Sequence, residues 1–154
     1  MTPEENTKAP GFTLPDTEGD KVSLTDFQGK KKVVLLFFPL AFSDVCTEEL
    51  CITRDNMKMY NALDATVIGI SVDSFFTLRA LKKAENINFM LLSDFNKEVS
   101  RRYQVLYDDY HGMKGVSMRA VFVIDREGII RHREVLEDSS KLPDFKAVQK
   151  VLSA

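Results

Sequence analysis

The chain has 154 residues, 44% of them hydrophobic, and a formal net charge of −2. Residues 1–154 therefore fit a single domain, which at this length buries enough surface to be stable without a disulfide or a structural metal. Charges of both signs are interspersed, so we expect no nucleic-acid partner. No apolar run approaches the ~20 residues of a membrane helix and the N-terminus lacks a secretory pattern, so we expect a cytoplasmic protein with no membrane partner.

The first half of the chain alternates between strand and helix patterns. Residues 9–31 contain two extended segments around the turn-rich sequence PDTEGD, which predicts an N-terminal β-hairpin. The apolar run KVVLLFF at residues 32–38 predicts a central strand buried on both faces. Residues 44–63 then predict one long helix, because apolar positions recur at intervals of three and four. The stripe consists of Cys46, Leu50, Thr53, Met57 and Tyr60, and Cys51 lies off it.

A second buried strand is predicted over residues 65–72. Ser74 is the expected N-cap of the helix that follows it. Residues 89–94 predict a short strand, and Asn96 is the expected cap of a helix over residues 97–103.

The last elements complete the expected architecture. Residues 120–125 and 129–135 flank the tight turn REG and predict a hairpin, and residues 142–152 predict an amphipathic helix. The order β-α-β-α-β-α-β-β-α predicts an α/β protein with a central mixed β-sheet flanked by helices. This order is compatible with a thioredoxin-like fold that carries an additional N-terminal β-hairpin.

Both cysteines of the chain lie in one short segment, FFPLAFSDVCTEELC. In a reducing compartment, a close pair of cysteines is more often catalytic, redox-active or metal-binding than structural. His111 and His132 are far from the pair and match no zinc spacing, so we expect no metal. The chain has no glycine-rich phosphate loop either, so we expect no cofactor.

Cys46 is predicted in the first turn of its helix, where the helix dipole favours a thiolate by about 0.3–1 kcal/mol. A reactive thiolate needs more than this, so hydrogen bonds and a nearby cation are expected. Ser43 supplies a hydroxyl within reach of Cys46. The cation is either Arg54, two turns further along the helix, or Arg119, just before a late strand.

Helix geometry separates the two cysteines. Residues five apart in a helix have Cα atoms about 8.7 Å apart and point about 140° away from each other. A disulfide requires a Cα separation of roughly 4.4–6.8 Å. Cys46 and Cys51 therefore bond only if the first turns of the helix unwind.

The cysteine segment resembles the active-site signature of the peroxiredoxins, in which a proline, a threonine or serine, and a cysteine follow at fixed spacing. Here the signature reads Pro39, Ser43 and Cys46. The family's glutamate three residues after the cysteine matches Glu49, and its arginine before a late core strand matches Arg119. Similar sequence covers most of the chain, from APGFTLPDTEG to VFVIDREGIIRH.

The resemblance implies a thiol peroxidase that reduces hydrogen peroxide and alkyl hydroperoxides. Cys46 would be the peroxidatic cysteine, which attacks the peroxide O–O bond and becomes a sulfenic acid. Pro39 would shield Cys46, and Ser43 would hydrogen-bond the peroxide. Arg119 would polarise thiolate and peroxide, and Glu49 would position the arginine. Serine departs from the family's commoner threonine, so the methyl group that restricts the hydroxyl rotamer is missing.

Cys51 matches the resolving position of the Q-type, or bacterioferritin-comigratory, branch of the family. There it would attack the sulfenic acid, and the resulting Cys46–Cys51 disulfide would be reduced by thioredoxin or a glutaredoxin-like protein. The segments FFPLAF and LLSDF also resemble the E-type branch, which commonly works with one cysteine. The alternative is therefore a one-cysteine peroxiredoxin, or a redox sensor, with Cys51 as a bystander. The Cys-x-x-Cys spacing of a disulfide reductase is absent.

The placement of three aromatic residues bears on the oligomeric state, which the sequence leaves undecided. Phe42, Phe75 and Phe76 are either core residues, an apolar rim at the mouth of the site, or a dimer contact. We therefore expect a monomer or a homodimer.

Overall fold

A computed structural model describes residues 2–154. The strands are β1 (Thr13–Pro15), β2 (Lys21–Ser23), β3 (Lys32–Phe37), β4 (Ala65–Ser71), β5 (Met90–Ser93), β6 (Arg119–Ile124) and β7 (Ile130–Leu136). The α-helices are α1 (Asp44–Asp55), α2 (Met57–Ala62), α3 (Phe75–Ala84), α4 (Glu98–Arg102) and α5 (Phe145–Ser153). A short 3-10 helix covers Leu24–Phe27. The predicted order of strands and helices is confirmed, except that two helices, α1 and α2, replace the single one predicted between β3 and β4.

The main sheet has five strands in the order β5-β4-β3-β6-β7, and β1 and β2 form the separate N-terminal hairpin. β3 pairs in parallel with β4 and antiparallel with β6, so the predicted mixed sheet is confirmed. In the β3–β6 ladder, Phe37 lies opposite Ala120. The carboxyl end of β3, from which the chain continues to Cys46, therefore lies beside Arg119 at the start of β6.

The central strand β3 divides the core into two layers, because successive side chains of a strand point to opposite faces. Val33, Leu35 and Phe37 pack toward the N-terminal hairpin. Val34 and Leu36 pack toward α1, α3 and α5 on the other face. The helical stripe predicted from Cys46 to Tyr60 is buried in this second layer. The run KVVLLFF thus forms the doubly buried strand that its composition predicts.

The long helix predicted over residues 44–63 is divided in two at Asn56, so its predicted continuity is wrong. The Asn56 backbone has φ −108° and ψ 10°, outside helical geometry. Its side-chain amide donates to the carbonyl of Ile52 at 2.8 Å, and its backbone N–H donates to Thr53 at 3.1 Å. Asparagine side chains compete in this way with the backbone bonds of a helix, which makes it a natural break point.

The cap predicted for the fourth helix is also wrong. The N-cap of α4 is Lys97, with φ 63°, and not Asn96. The orphan donors of α4 are satisfied by the buried carboxylate of Asp94, which accepts from the backbone N–H groups of Val99 at 3.1 Å and Ser100 at 2.6 Å. A carboxylate at a helix N-terminus also complements the helix dipole.

The sequence left the placement of Phe42, Phe75 and Phe76 undecided. Two of them lie outside the core, since Phe42 is 52% exposed and Phe76 is 64% exposed. Phe75 is half-buried and stacks on Phe76, with ring centroids 4.2 Å apart.

Within residues 2–154, every helix is too short or too polar to cross a lipid bilayer. The same residues bring no group of three or more histidine, cysteine or acidic side chains together as a metal site.

Candidate active site

Cys46 lies in the first turn of α1 and its side chain is fully buried. Ser43 is the N-cap of this helix, with an extended backbone at φ −76° and ψ 153°. The first helical hydrogen bond runs from the N–H of Thr47 to the carbonyl of Ser43 at 2.9 Å. The N–H groups of the preceding residues have no intrahelical acceptor, so Cys46 lies at the positive end of the helix.

The guanidinium group of Arg119 lies directly beside this thiol. Its Nη2 is 3.5 Å from Cys46 Sγ, and its Nη1 donates to Glu49 Oε1 at 2.6 Å. Nε and Nη2 also donate to the carbonyl of Ser139 at 3.2 and 2.9 Å. Only 1% of Arg119 is exposed. The guanidinium is therefore held in one orientation before any substrate arrives.

The charge of Arg119 is a stronger influence on Cys46 than the helix dipole. Opposite unit charges about 4 Å apart attract by roughly 4 kcal/mol at an effective dielectric constant near 20. The dipole supplies about 0.3–1 kcal/mol. Of the two arginines that the sequence leaves open, the structure brings Arg119 to Cys46. Arg54 instead contacts Asp55 and Glu85.

The Glu49 side chain is fully buried, and this burial determines how easily its carboxylate takes up a proton. Burial raises the pKa of Glu49 to about 7, although the charge and hydrogen bond of Arg119 act in the opposite direction. Glu49 Oε2 has no hydrogen-bond partner among the described residues. Burial disfavours the charge of Arg119, but Glu49 and Cys46 raise the pKa of the guanidinium above its ordinary value. Glu49 and Cys46 thus contact the same guanidinium group.

The loop between β3 and α1 carries Pro39 and Ser43. Pro39 is buried. The hydroxyl of Ser43 donates to the carbonyl of Leu40 at 2.8 Å. Within residues 2–154 it makes no hydrogen bond to Cys46, so it lies at the site without contacting the thiol.

Asp73, just after β4, also holds the loop between β3 and α1 in place. Its Oδ2 accepts from the backbone N–H of Ala41 at 2.8 Å and from the Ser71 hydroxyl at 2.6 Å. Phe42, the residue after Ala41, has φ 68°, in the left-handed region that residues other than glycine rarely adopt. The approach to Cys46 is therefore a defined loop and not a free segment.

A cavity of about 460 Å³ opens next to this helix start. One wall comes from the loop and first turn, including Ser43, and the other from Tyr110, His111, Met113, Ser139 and Ser140. The rings of Tyr110 and His111 are 4.6 Å apart. The cavity borders the start of α1, while Cys46 and Arg119 are buried and are not among the residues that line it.

Cys51 lies on the same helix in a different environment. It is half-buried, and its Sγ donates to Glu85 Oε2 at 3.5 Å. Burial and the Glu85 carboxylate raise the pKa of the Cys51 thiol, while Arg54 acts in the opposite direction. Both cysteines are free, and both lie within the continuous helix α1.

Four parts of this site were not predicted. The Ser139 carbonyl is a backbone group, so its residue type carries no signal. Tyr110, His111 and Met113 reach the cavity from a loop distant in sequence. Asp73 and Glu85 carry no signal in the sequence, because no local pattern predicts contacts 32 and 34 residues away.

Comparison with known proteins gives consistent matches along the chain. The model of the AhpC/TSA family matches residues 6–133. A chloroplastic 2-cysteine peroxiredoxin of Chattonella marina var. antiqua is 39% identical over 138 residues, which are 83% of this chain and 68% of that protein. A putative peroxiredoxin bcp of Coxiella burnetii is 40% identical over 133 residues, which are 84% of this chain and 87% of that protein.

The fold matches as closely as the sequence. A crystal structure of reduced 2-Cys peroxiredoxin from Plasmodium vivax aligns with a TM-score of 0.87 at 33% identity, covering 97% of this chain and 80% of that one. With the strand order above, this confirms the predicted thioredoxin-like fold. The chain spans about half the length of the chloroplastic 2-Cys peroxiredoxins of spinach (51%) and Arabidopsis thaliana (50%).

Proposed function

The chain belongs to the AhpC/TSA family, the peroxiredoxins, and we propose that it is a thiol peroxidase whose nucleophile is Cys46. The observation that carries the proposal is the Arg119 guanidinium, 3.5 Å from a buried thiol at a helix N-terminus. The Coxiella burnetii relative, named bcp, supports the Q-type branch that the spacing of the two cysteines predicts.

In the first step, the Cys46 thiolate attacks one oxygen of the peroxide. A sulfur–oxygen bond forms while the O–O bond breaks, and the leaving oxygen takes a proton to give water or an alcohol. Sulfur is oxidised by two electrons to the sulfenic acid, and the peroxide is reduced by two. Arg119 stabilises the negative charge on sulfur before the attack and on the leaving oxygen during it.

The neighbouring residues have supporting roles in this proposal. Glu49 holds Arg119 through the 2.6 Å ion pair, so that Nη2 faces the thiol. Pro39, which is buried in the loop before α1, excludes water from Cys46. Ser43 lines the cavity and exchanges its bond to the Leu40 carbonyl for one to the peroxide. The substrates of this proposal are hydrogen peroxide and alkyl hydroperoxides.

In the second step, Cys51 attacks the sulfenic acid of Cys46. The S–S bond forms as the sulfur–oxygen bond breaks, and the oxygen leaves as water with the proton of the Cys51 thiol. Because the two cysteines are five residues apart in α1, the helix unwinds between them for this step. Thioredoxin or a glutaredoxin-like protein then returns both thiols by thiol–disulfide exchange.

One observation favours the one-cysteine alternative. Cys51 hydrogen-bonds to a carboxylate, which disfavours the thiolate that a resolving cysteine must supply. In that alternative, Cys51 is a bystander and an external thiol, or a partner protein in the case of a redox sensor, reacts with the Cys46 sulfenic acid.

Stopped-flow mixing of the reduced protein with hydrogen peroxide tests the peroxidase proposal. We expect oxidation far faster than that of free cysteine, and loss of that phase in Cys46→Ser. A rate equal to that of free cysteine, or full activity in Cys46→Ser, contradicts the proposal. Mass spectrometry after one equivalent of peroxide separates the two cycles: loss of two hydrogens supports the disulfide, and one added oxygen supports the one-cysteine form.

We also propose a cytoplasmic homodimer. Two free cysteines suit a reducing compartment. An aromatic surface of Phe75, Phe76 and Phe95 borders a cavity of about 460 Å³, and Phe76 and Phe95 are 64% and 60% exposed. Exposed clusters of large apolar residues are typical of interfaces. Sedimentation velocity tests the assembly: we expect a dimer that Phe76→Lys weakens, and a wild-type monomer contradicts the proposal.

A further inference from the structure

The turn after α3, residues 85–88, holds the second half of α1 by three hydrogen bonds. Glu85 Oε2 accepts from Cys51 Sγ at 3.5 Å. The backbone carbonyl of Glu85 accepts from Arg54 Nη1 at 2.5 Å. In return, Asn88 Nδ2 donates to the backbone carbonyl of Arg54 at 3.2 Å. Cys51 and Arg54, three residues apart on one helix face, are thus both tied to the same turn.

The charges around Cys51 favour the neutral thiol. Glu85 and Asp55 are the anionic groups near its sulfur, and Arg54 is the cationic one. The Arg54 guanidinium is already engaged, because its Nε donates to Asp55 at 2.9 Å and its Nη1 to the Glu85 carbonyl. Among the described residues, the charged group that hydrogen-bonds to Sγ is the Glu85 carboxylate, which accepts a proton-bearing donor and repels an anion.

We propose, given the peroxidase function above, that Glu85 is a positioning residue that keeps Cys51 an unreactive thiol while α1 is helical and sets how fast Cys51 is released to attack the Cys46 sulfenic acid. Cys51 reaches Cys46 only when the helix between them unwinds, and that motion breaks the bond to Glu85. Once away from the carboxylate, Cys51 ionises and attacks, and the proton that it gives up is taken by the departing sulfenic oxygen, which leaves as water.

The Arg54 contacts determine where along α1 the unwinding stops. Arg54 is three residues beyond Cys51 and is held to the turn through both its side chain and its carbonyl. The turns up to Cys51 therefore separate from the core while the end of α1 stays docked on residues 85–88.

The chemistry needs no reactant beyond the proposed cycle. Peroxide has already oxidised Cys46 by two electrons, and Cys51 contributes the electron pair that forms the S–S bond. The sulfenic oxygen leaves as water. Glu85 does not appear in the balance, since it acts only on the thiol before the attack.

Glu85→Gln tests this role, because it keeps the side-chain shape and removes the charge. In a Cys46→Ser background, we expect the pH midpoint for alkylation of Cys51 by iodoacetamide to fall. A fall of one pH unit corresponds to roughly threefold faster alkylation at neutral pH, since the less basic thiolate is also less nucleophilic. Glu127→Gln, an exposed glutamate in the β6–β7 turn, is the matched control and should leave the profile unchanged.

The second readout is the rate of disulfide formation after a peroxide pulse, followed by quenching and mass spectrometry. With both cysteines present, we expect Glu85→Gln to form the disulfide several-fold faster while formation of the sulfenic acid is unchanged. Glu85→Asp, which keeps the charge and shortens the reach, should keep most of the electrostatic effect on the alkylation profile.

The two proposals fail in different ways. An unchanged alkylation profile in Glu85→Gln, with normal circular dichroism, overturns the role of Glu85 even if peroxide oxidation of Cys46 is fast. No fast oxidation of Cys46 in any variant overturns the peroxidase function, whereas the alkylation profile in the Cys46→Ser background still reports on Glu85.

Discussion

The two cysteines lie on one continuous helix, and their surroundings carry opposite charge. Cys46 is fully buried with a guanidinium nitrogen 3.5 Å from its sulfur. Cys51 is half-buried with a carboxylate oxygen 3.5 Å from its sulfur. The same side chain at the same contact distance is thus paired with a cation in one case and an anion in the other. The sign of the neighbouring charge distinguishes the two thiols.

These neighbours come from different elements. Arg119 is the first residue of β6, which pairs with β3, the strand that leads into α1. Glu85 is the residue after α3, which packs on the same face of the sheet as α1. Rotation by about 100° for each residue turns Cys46 and Cys51 toward these two separate partners. Substitutions that remove either sulfur or its charged neighbour therefore test whether this contrast matters chemically.

The largest effect is expected from removing the sulfur that faces the cation. Cys46→Ser should lower the rate of peroxide reduction by at least about 1,000-fold, since it removes the nucleophile. Cys51→Ser is the matched control and should leave the first step within about twofold, because its thiol does not meet the peroxide in that step. Stopped-flow kinetics at one peroxide concentration compares both. Equal losses in the two variants would mean that the contrast between the thiols has no chemical consequence.

Removing the cation should have the next largest effect. Arg119→Met should lower the rate of Cys46 oxidation by roughly 100- to 1,000-fold, the usual loss when one preorganised stabilising group is removed. Arg119→Lys should recover part of this rate, because it keeps the charge but not the fork that reaches Glu49 and Cys46 together. Arg54→Met is the control, since Arg54 serves the Cys51 side. An Arg54→Met loss as large as that of Arg119→Met contradicts the assignment.

The buried carboxylate beside Arg119 should make stability depend on pH. The pKa of Glu49 is about 7 in the folded protein against an ordinary value of 4.5. Between these values the folded protein holds a proton that the unfolded chain has released, so stability falls as pH rises from 4.5 to 7. The fall is on the order of 3 kcal/mol. Urea unfolding at pH 5 and pH 8 measures this difference.

Glu49→Gln should remove most of that difference between the two pH values, because the amide does not titrate. Glu48→Gln, its exposed neighbour on α1, is the control and should retain the wild-type dependence. A wild-type stability that is equal at pH 5 and pH 8, or that rises with pH, contradicts the raised pKa of Glu49.

The smallest effect is expected at the helix cap. The Ser43 side chain makes no capping bond and loses only its bond to Leu40 in Ser43→Ala, so the free energy of unfolding should fall by at most about 1 kcal/mol. The rate of peroxide reduction should fall by about three- to tenfold, the loss of one hydrogen bond to the peroxide. Ser43→Thr should retain the rate. An unchanged rate in Ser43→Ala would remove Ser43 from the proposed site.

The sequence was sufficient for features that depend on neighbouring residues. Strand β3 followed from a continuous apolar run, and the buried stripe from Cys46 to Tyr60 followed from helical periodicity. The break at Asn56 and the cap of α4 by Asp94 were missed, because a single side chain there overrides an otherwise regular pattern. The motif placed Pro39, Ser43 and Cys46 together, since they are joined by one short loop.

Residue spacing left open which charges meet the two sulfurs: the resemblance implied Arg119 at Cys46, and only the tertiary structure brings Glu85 to Cys51. The choice of Arg119 over Arg54 depends on the pairing of β3 with β6, which joins residues 73 positions apart. The Ser139 carbonyl, the raised pKa of Glu49 and the carboxylate at Cys51 likewise depend on packing between distant elements. Periodicity is a property of neighbours along the chain, whereas electrostatic energy depends on distance in space and on burial. The sequence by itself therefore locates the two thiols, and the folded chain makes them different.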